Sequence, residues 1–147
     1  MEFLVRTETG AYDLEAAVRL IGSDLLVAVW GGERPHIGAV AVGQPRPSLR
    51  DPDKTSASAS VFCFIGHKED ELAKATAEIL AAMLQTPVVV TAGIHWDDIS
   101  PEGIRAVVRN SEALVEKILK KVFRLKTEDR GSDVGCRRPD VRNSNDK

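Results

Sequence analysis

The sequence predicts one mixed domain of the α+β or α/β class, in which two main helices pack on a sheet of about five to six strands. Two observations support this prediction. Residues 1–65 are short apolar runs separated by turn signals, which is typical of an antiparallel meander. The residues that follow alternate in the order strand, helix, strand, helix. With 147 residues, of which 43% are hydrophobic, the chain can bury a sizeable core, and we place the domain at residues 1–126.

Four candidate strands form the predicted meander. They are EFLVRTET (2–9), AYDLEAAVRLIG (11–22), DLLVAVWGG (24–32) and PHIGAVAVG (35–43). The second alternates apolar and polar residues, as expected for a sheet with one face in water, whereas the third and fourth are more uniformly apolar and predict cover on both faces. Residues 43–60 contain three prolines and four serines and predict a long loop.

The second half of the predicted domain consists of two strands and two helices. The strands are SVFCFIG (60–66) and TPVVVTAGI (86–94), and the helices span residues 68–85 and 100–123. Each helix carries an apolar stripe at helical spacing, which predicts its core face. The stripes are Leu72, Ile79, Leu80, Met83 and Leu84 in the first helix, and Ile104, Val107, Val108, Leu114, Val115, Ile118 and Leu119 in the second. Ser100 is predicted to cap the second helix.

The composition also argues against several classes of protein. Residues 127–147 have few apolar side chains and charges of both signs, so we expect a disordered tail there. Cys63 lies in an apolar run and Cys136 in this tail, which indicates neither a disulfide framework nor a paired-cysteine metal motif. A formal charge of -2 argues against nucleic acid as a partner. The lack of a leader and of a run of ~18 apolar residues predicts a soluble, cytoplasmic protein with no membrane association.

Three histidines give the strongest functional lead. His67 and His95 each follow a predicted strand, and His36 begins one. A right-handed crossover makes the strands at 60–66 and 86–94 parallel, so that His67 and His95 share one edge of the sheet. Antiparallel pairing of the strand that starts at His36 with the strand at 60–66 brings His36 to the same edge. The three imidazoles are therefore expected to converge.

The helix that follows the first of these strands begins at the same edge. Its first turn presents free backbone N–H groups and a partial positive charge, which favour an anion. Gly66 leaves room for a ligand, and Lys68 adds a formal charge. Arg46 or Arg50, in the predicted loop, is placed to close over the ligand. The acidic residues that follow Lys68 would oppose a phosphate unless they point away.

The loop GIHWDDIS adds an aromatic ring and carboxylates to this edge. Trp96 is suited to stack on a planar heteroaromatic ligand, and Asp97 or Asp98 to orient a histidine; packing on the second helix and capping are the structural alternatives. We therefore predict a cofactor-binding site. Its residues are His36, Gly66, His67, Lys68, His95, Trp96 and Asp97. Three histidines with nearby carboxylates also suit zinc or iron, although no pair has the spacing of a local metal motif.

Three stretches of the chain carry a family resemblance. PHIGAVAVG, IGHKEDELA and PVVVTAGIHWDDISPEGI, in this order, resemble the LpdD-like prenylated-flavin chaperone family, which includes the D subunit of bacterial gallate decarboxylase. The resemblance covers about residues 35–118. It implies a non-catalytic accessory protein that binds prenylated FMN, or FMN, and stores it or delivers it to a UbiD-type aromatic acid decarboxylase. The site residues above rest on the positions of the motifs and not on this resemblance.

Two other functions stay open at the level of the sequence. One is a metal-dependent hydrolase or lyase that uses His36, His67 and His95, and it predicts stoichiometric metal. The other is a non-catalytic assembly subunit whose exposed face docks a decarboxylase, and it predicts a partner that copurifies. Formation of a homo-oligomer is open as well.

Overall fold

The computed structural model describes residues 1–8 and 10–132, without the side chains of residues 129–132. This part of the chain forms six strands and two helices. The strands are β1 (Glu2–Arg6), β2 (Leu14–Ile21), β3 (Asp24–Gly32), β4 (Ala39–Pro47), β5 (Thr55–Cys63) and β6 (Val88–His95). The helices are α1 (Asp70–Leu84) and α2 (Pro101–Ser132). The predicted fold class is confirmed, because all six strands join one mixed sheet.

The strand order in this sheet is β1-β2-β3-β6-β4-β5. β1, β2 and β3 form an antiparallel meander, as predicted. The prediction that β4 continues the meander is wrong, because β6 lies between β3 and β4. β6 is parallel to β3 and antiparallel to β4. Val88, Val90 and Ala92 of β6 are fully buried, so this strand is the centre of the sheet and of the core.

The connection from β5 through α1 to β6 is a crossover that passes over one strand. β5 and β6 both pair antiparallel with β4, so they are parallel to each other, as the sequence predicts. Their carboxyl ends and the amino end of β4 therefore lie at one edge of the sheet. The segment between β3 and β4 crosses the end of β6. There the Glu33 N–H donates to the His95 carbonyl, and the Gly38 N–H to the Ala92 carbonyl, both at 2.8 Å.

Residues 43–60 are not the long loop that their prolines predict. β4 and β5 form a hairpin in which Gly43 pairs with Ala59, and Pro47 with Thr55. β6 pairs with β4 only as far as Gly43. Beyond that residue β4 has a free edge, and a proline there can direct its missing N–H away from the ladder. The edge position therefore overrides the loop signal.

Both helices pack on the same face of the sheet. α1 lies over β4, β5 and β6, and α2 lies over β1 and β2. The buried residues of α1 are mostly small, which allows a close approach to the strands; they are Ala73, Thr76, Ala77, Leu80, Ala81 and Leu84. The core residues from α2 are Leu114, Val115, Ile118 and Val122. Ser100 caps α2 as predicted, since its Oγ accepts a hydrogen bond from the Gly103 N–H at 3.0 Å.

The predicted core stripes of the helices are only partly correct. Ile79 and Met83 of α1 are 43% and 54% exposed, and Ile104 and Val108 of α2 are 52% and 50% exposed. Periodicity identifies the apolar side of a helix, but it does not show whether a neighbour covers all of that side. Here the two helices leave a gap between them, and three of these four residues line it.

Neither helix covers the other face of the sheet, so the prediction that β3 and β4 are covered on both faces is wrong for the described chain. A row of cross-strand neighbours without a charge crosses all six strands on this open face. The row comprises Leu4, Ala17, Ala28, Thr91, Val40 and Phe62. A second row beside it comprises Leu26, Val89 and Val42. Leu4, Val42 and Phe62 are each at least half exposed.

α2 is longer than the sequence predicts, because it continues past residue 123 to Ser132. The predicted tail at 127–147 thus begins within this helix, and its remaining residues, 133–147, lie outside the described part of the chain. Cys63 is partly buried and packs against the core, in agreement with its apolar surroundings in the sequence. In the described residues we find no helix with the length and apolarity that a membrane span requires.

The two sides of α1 can be distinguished by truncating side chains. Leu80→Ala removes a fully buried side chain and leaves a cavity, so we expect the free energy of unfolding to fall by about 2–5 kcal/mol. Met83→Ala, on the exposed side of the same helix, is the control and is expected to cost less than about 1 kcal/mol. Urea denaturation followed by circular dichroism measures both. Equal losses would show that both sides of α1 are buried.

Candidate functional site

The three histidines converge at one edge of the sheet. The ring centroids of His36 and His67 are 4.6 Å apart, and those of His36 and His95 are 6.5 Å apart. Nε2 of His36 lies 3.0 Å from Nδ1 of His67. The convergence follows from the crossover, which brings the carboxyl ends of β5 and β6 to the start of β4.

Glu69 is one of the acidic residues after Lys68 that are expected only to oppose a phosphate. In the structure its side chain reaches into the cluster of His36 and His67. Its Oε1 lies 3.2 Å from Nε2 of His36, and its Oε2 lies 3.6 Å from Nδ1 of His67. The Glu69 side chain is only 11% exposed. Glu69 occupies the N-cap position of α1, but its side chain makes no capping hydrogen bond. Its carboxylate is turned toward the histidines instead.

Two backbone N–H groups hold the Glu69 carboxylate. The Lys68 N–H donates to Oε2 at 2.9 Å, and the Ile94 N–H donates to Oε1 at 3.3 Å. Gly38 makes this position possible, since a Cβ there would lie 2.5 Å from Oε2 of Glu69 and 3.0 Å from Nδ1 of His67. A negative charge thus already stands at the N-terminus of α1, and it opposes a phosphate at the same point.

Gly66 shapes the turn that leads into His67. The His67 N–H donates to the Phe64 carbonyl at 3.1 Å, and Gly66 has a φ of 85° at the third position of this turn. Such a φ suits a type II turn and is unfavourable for residues other than glycine. A Cβ on Gly66 would meet open space, so the backbone conformation, and not room for a ligand, calls for glycine here.

His95 belongs to a second polar cluster. Its Nε2 lies 2.9 Å from Oδ1 of Asp97 and 3.0 Å from Nη2 of Arg34. Arg34 also forms an ion pair with Asp97, whose N–H donates to Oε2 of Glu33 at 3.1 Å. Hydrogen bonds from His95 and from Arg34 hold the pKa of the Asp97 carboxyl below its ordinary value of 3.8. Because His95 faces these partners, the three histidines do not form one metal-ligand set.

An apolar cleft of about 650 Å³ opens beside the two clusters, between α1 and α2. Leu72 and Ile79 line it from α1, and Val108 lines it from α2. Lys68 and Trp96 line it from the segments that adjoin the strand ends. Small-molecule sites have volumes of about 300–1,000 Å³ and mostly apolar walls, so the cleft is of ligand-binding size.

Trp96 is held in place by packing. Its ring meets that of Tyr12 edge to face, with the centroids 5.2 Å apart. A Cβ at Gly31 would lie 3.3 Å from the Trp96 ring, so β3 also approaches it closely. Nδ2 of Asn110 donates to the Tyr12 carbonyl at 2.6 Å and ties α2 to this corner. Trp96 is partly buried and also lines the cleft, which makes it a fixed aromatic wall.

The predicted binding residues fall into two groups. Three of them line the cleft: Lys68, His95 and Trp96. The other four lie outside its lining: His36, Gly66, His67 and Asp97. The members of this second group form, shape or contact the polar clusters beside the cleft.

The two predicted arginines lie at the far end of the sheet. Arg46 is seven residues beyond Ala39 (39 to 46) along β4, which corresponds to roughly 23 Å from the site edge. Its Nε donates to Oγ of Ser58 at 2.7 Å. Arg50 follows Arg46 in the turn before β5. The prediction that either arginine closes over the ligand is wrong, because β4 starts at the site and carries both away from it.

Sequence reasoning missed three features of this region. Glu69 follows His67 by two residues, and Arg34 precedes His36 by two, so both stand within reach of a predicted site residue. Their roles depend on contacts across strands, which spacing alone does not give. No pattern in the sequence predicts the cleft, because the apolar residues that line it have the helical spacing of core residues.

These features define a small mixed α+β domain with a ligand-sized apolar cleft beside two polar clusters. The family model for the prenylated flavin chaperone LpdD-like domain matches residues 8–123. The match spans most of the chain, and the chain therefore belongs to this family, as the resemblance of its three motifs implies.

One individual relative agrees with this membership. Protein LpdD of Lactiplantibacillus plantarum is 29% identical over 113 residues, which are 77% of this chain and 79% of that protein. A chain in the crystal structure of a chaperone complex for yeast 20S proteasome assembly aligns with 11% identity and a TM-score of 0.44. That alignment covers 78% of this chain and 96% of the other. The second likeness is too distant to carry an argument about function.

The lowered pKa of Asp97 predicts a pH-dependent contribution to stability. When folding lowers the pKa of a carboxyl, that group stabilises the protein at pH values above its ordinary pKa, which is 3.8 here. The stabilisation is lost as the pH falls through the lower pKa of the folded state. We therefore expect Asp97→Asn to reduce the melting temperature at neutral pH and to have no effect in strong acid. Thermal melts across the pH range measure the difference. Asp98→Asn is the adjacent control, and a deficit independent of pH would contradict the assignment.

Proposed function

We propose that this protein is a non-catalytic accessory protein that binds prenylated FMN, or FMN, and stores it for delivery to a UbiD-type decarboxylase. The observation that carries the proposal is the apolar cleft between α1 and α2, in a chain that belongs to the prenylated flavin chaperone LpdD-like family. A prenylated flavin offers a flat ring system with extensive apolar surface. An apolar cleft with a few polar groups at one end suits such a ring.

The ring system is assigned to the middle of the cleft. Ile79 of α1 and Val108 of α2 both line the cleft and are 43% and 50% exposed, so a ring that contacts them removes apolar surface from water. Each Å² so removed contributes about 25 cal/mol. Trp96 also lines the cleft and provides an aromatic wall that can stack on the flavin.

The phosphate is assigned to Lys68. Among the described residues that line the cleft, Lys68 is the only lysine or arginine, and it directly precedes the N-cap of α1. Glu71 and Glu112 also border the cleft and disfavour an anion near them. The Glu69 carboxylate lies beside the start of α1 and repels an anion, so we assign the phosphate to the side of Lys68.

The polar residues beside the cleft are assigned a positioning role. His95 lines the cleft and is held by Asp97, so its ring is oriented for a contact with the flavin. His36 and His67 contact the Glu69 carboxylate and hold it in position, and this carboxylate repels the phosphate toward Lys68. Gly66 sets the turn that places His67.

Ligand capture is tested with the full chain, produced together with a flavin prenyltransferase and analysed by native mass spectrometry. We expect one flavin per chain. Val108→Arg places a bulky charge in a half-exposed position of the cleft wall, so bound flavin should fall to a background level. Lys68→Ala removes a charge-assisted hydrogen bond to the phosphate and should weaken binding by about 10-fold or more. Titration with FMN, followed by flavin fluorescence, gives the affinities.

The matched control is Leu49→Arg, which adds the same charge at a position that is 89% exposed in the turn between β4 and β5. It should bind flavin like the parent. Parent protein that carries no flavin and does not bind FMN would refute the proposal, and undiminished binding by Val108→Arg would move the site elsewhere. Delivery is a second readout, in which the loaded protein is mixed with an apo-decarboxylase and transfer of the flavin is measured.

We further propose that the protein forms a homo-oligomer through the open face of the sheet. The uncharged row from Leu4 to Phe62 crosses all six strands, and Val42 extends the apolar surface beside it. An exposed apolar surface of this extent is typical of a protein interface. The same face is the candidate for the docking of a decarboxylase. The oligomer is therefore tested first without the decarboxylase.

Val42→Glu places a charge in the second row of this face and should shift the oligomer toward monomer, because an unpaired charge in an apolar interface is costly. Light scattering after size-exclusion chromatography, at several concentrations, measures the mass. Gln44→Glu is the control, since Gln44 lies two residues further along the same face of β4 and is already polar and exposed. A parent protein that is monomeric throughout the series would contradict the proposal.

A further inference from the structure

We propose that His36, His67 and Glu69 form a binding site for a divalent transition metal, with Zn²⁺ as the reference ion. Nitrogen or oxygen ligand atoms of the three residues all lie within 4.8 Å of one another. Two imidazoles and one carboxylate are a ligand set found in zinc sites that keep open positions. The proposal does not depend on flavin binding.

The spacing of the ligand atoms fits a single ion. Zinc bonds to nitrogen and oxygen are about 2.0–2.2 Å long, so neighbouring ligands of a tetrahedral ion are separated by roughly 3.3 Å. In this protein the separation is 3.0 Å from Nε2 of His36 to Nδ1 of His67. It is 3.2 Å from the same Nε2 to Oε1 of Glu69, and 3.6 Å from Nδ1 of His67 to Oε2 of Glu69. Small rotations of these side chains place all three on one ion.

The hydrogen bond of His36 prepares its other nitrogen for a metal. Nδ1 of His36 lies 2.9 Å from the Arg34 carbonyl oxygen, which can only accept a hydrogen bond. Nδ1 therefore carries the proton, and in the neutral ring Nε2 has a free lone pair that faces His67 and Glu69. Metal-bound histidines commonly donate their second N–H to a backbone carbonyl in this way.

Glu69 is also positioned as a ligand would be. The N–H groups of Lys68 and Ile94 each donate to one of its oxygens and hold the carboxylate in place. Gly38 leaves the space that the carboxylate and the His67 ring occupy. Because the carboxylate is nearly buried beside two imidazoles, a cation there would gain a charged ligand with little reorganisation.

The ligand types select among cations. Imidazole nitrogen suits Zn²⁺ and its neighbours in the transition series, whereas Mg²⁺ and Ca²⁺ require mostly oxygen ligands. The His36 and His67 side chains are 25% and 35% exposed, so water can complete the coordination of the ion. A hydrogen-bonded trio that binds no ion is the competing arrangement, and the two differ in metal uptake.

The test uses the full chain without a polyhistidine tag, reduced, and with Cys136→Ser as the background so that this thiol does not bind zinc. Calorimetric titration with Zn²⁺ should give one ion per chain, and titration with Mg²⁺ should give none. Loss of an outer hydrogen-bond partner weakens metal binding by up to about 100-fold. His67→Ala and Glu69→Gln each remove a direct ligand, so each should weaken Zn²⁺ binding by more than this. Zn²⁺ should raise the melting temperature of the parent but not of these two variants.

His95→Ala is the matched control, since it removes the third histidine of the same edge, which faces Asp97 and Arg34. It should bind Zn²⁺ like the parent. X-ray absorption of the zinc-loaded parent should show two imidazole ligands, a readout that does not require a variant to fold. Absence of stoichiometric Zn²⁺ binding, or equal binding by the His67 and His95 variants, would overturn the proposal.

Discussion

The structure depends on one constraint, the insertion of β6 between β3 and β4. This strand is parallel to one neighbour and antiparallel to the other, and its inward residues are fully buried. The parallel relation between β5 and β6 requires the long crossover through α1, and the turn after β3 must pass over the end of β6 to reach β4. Three histidines from three separate stretches of sequence meet at this edge for that reason. Their convergence follows from the directions of the strands at this edge, and no local motif encodes it.

Glu69 shows how the site competes with local structure. A residue at the N-cap position commonly uses its side chain to cap the helix, but the Glu69 carboxylate turns to the histidines and to the N–H groups of Lys68 and Ile94. The helix gives up a side-chain cap, and the site gains a fixed negative charge. The start of α1 is therefore better suited to a cation within the cluster than to an anion at its centre. In the flavin complex that we propose, the phosphate therefore meets Lys68 and not the start of α1.

The chain also has more apolar surface than its own core uses. Ile79, Ile104 and Val108 carry the signature of core residues, yet they line an open cleft. On the opposite side of the sheet, uncharged neighbours run across all six strands, and no helix of the described residues covers them. Since exposed apolar surface of this extent is unfavourable in water, both regions suit binding partners. We assign the cleft to a small ligand and the open sheet face to a macromolecular partner.

The sequence by itself determined the class of fold, the direction of β5 relative to β6, the Ser100 cap and the meeting of the histidines, because periodicity, capping chemistry and crossover handedness are local or general rules. Strand order decided the rest. It gave the prolines of β4 a free edge, carried Arg46 away from the site and left one sheet face open. The divergence of α1 and α2 turned predicted core residues into cleft walls, and cross-strand contacts made Glu69 a partner of His36. These outcomes depend on which elements become neighbours, and that is settled by packing of the whole chain.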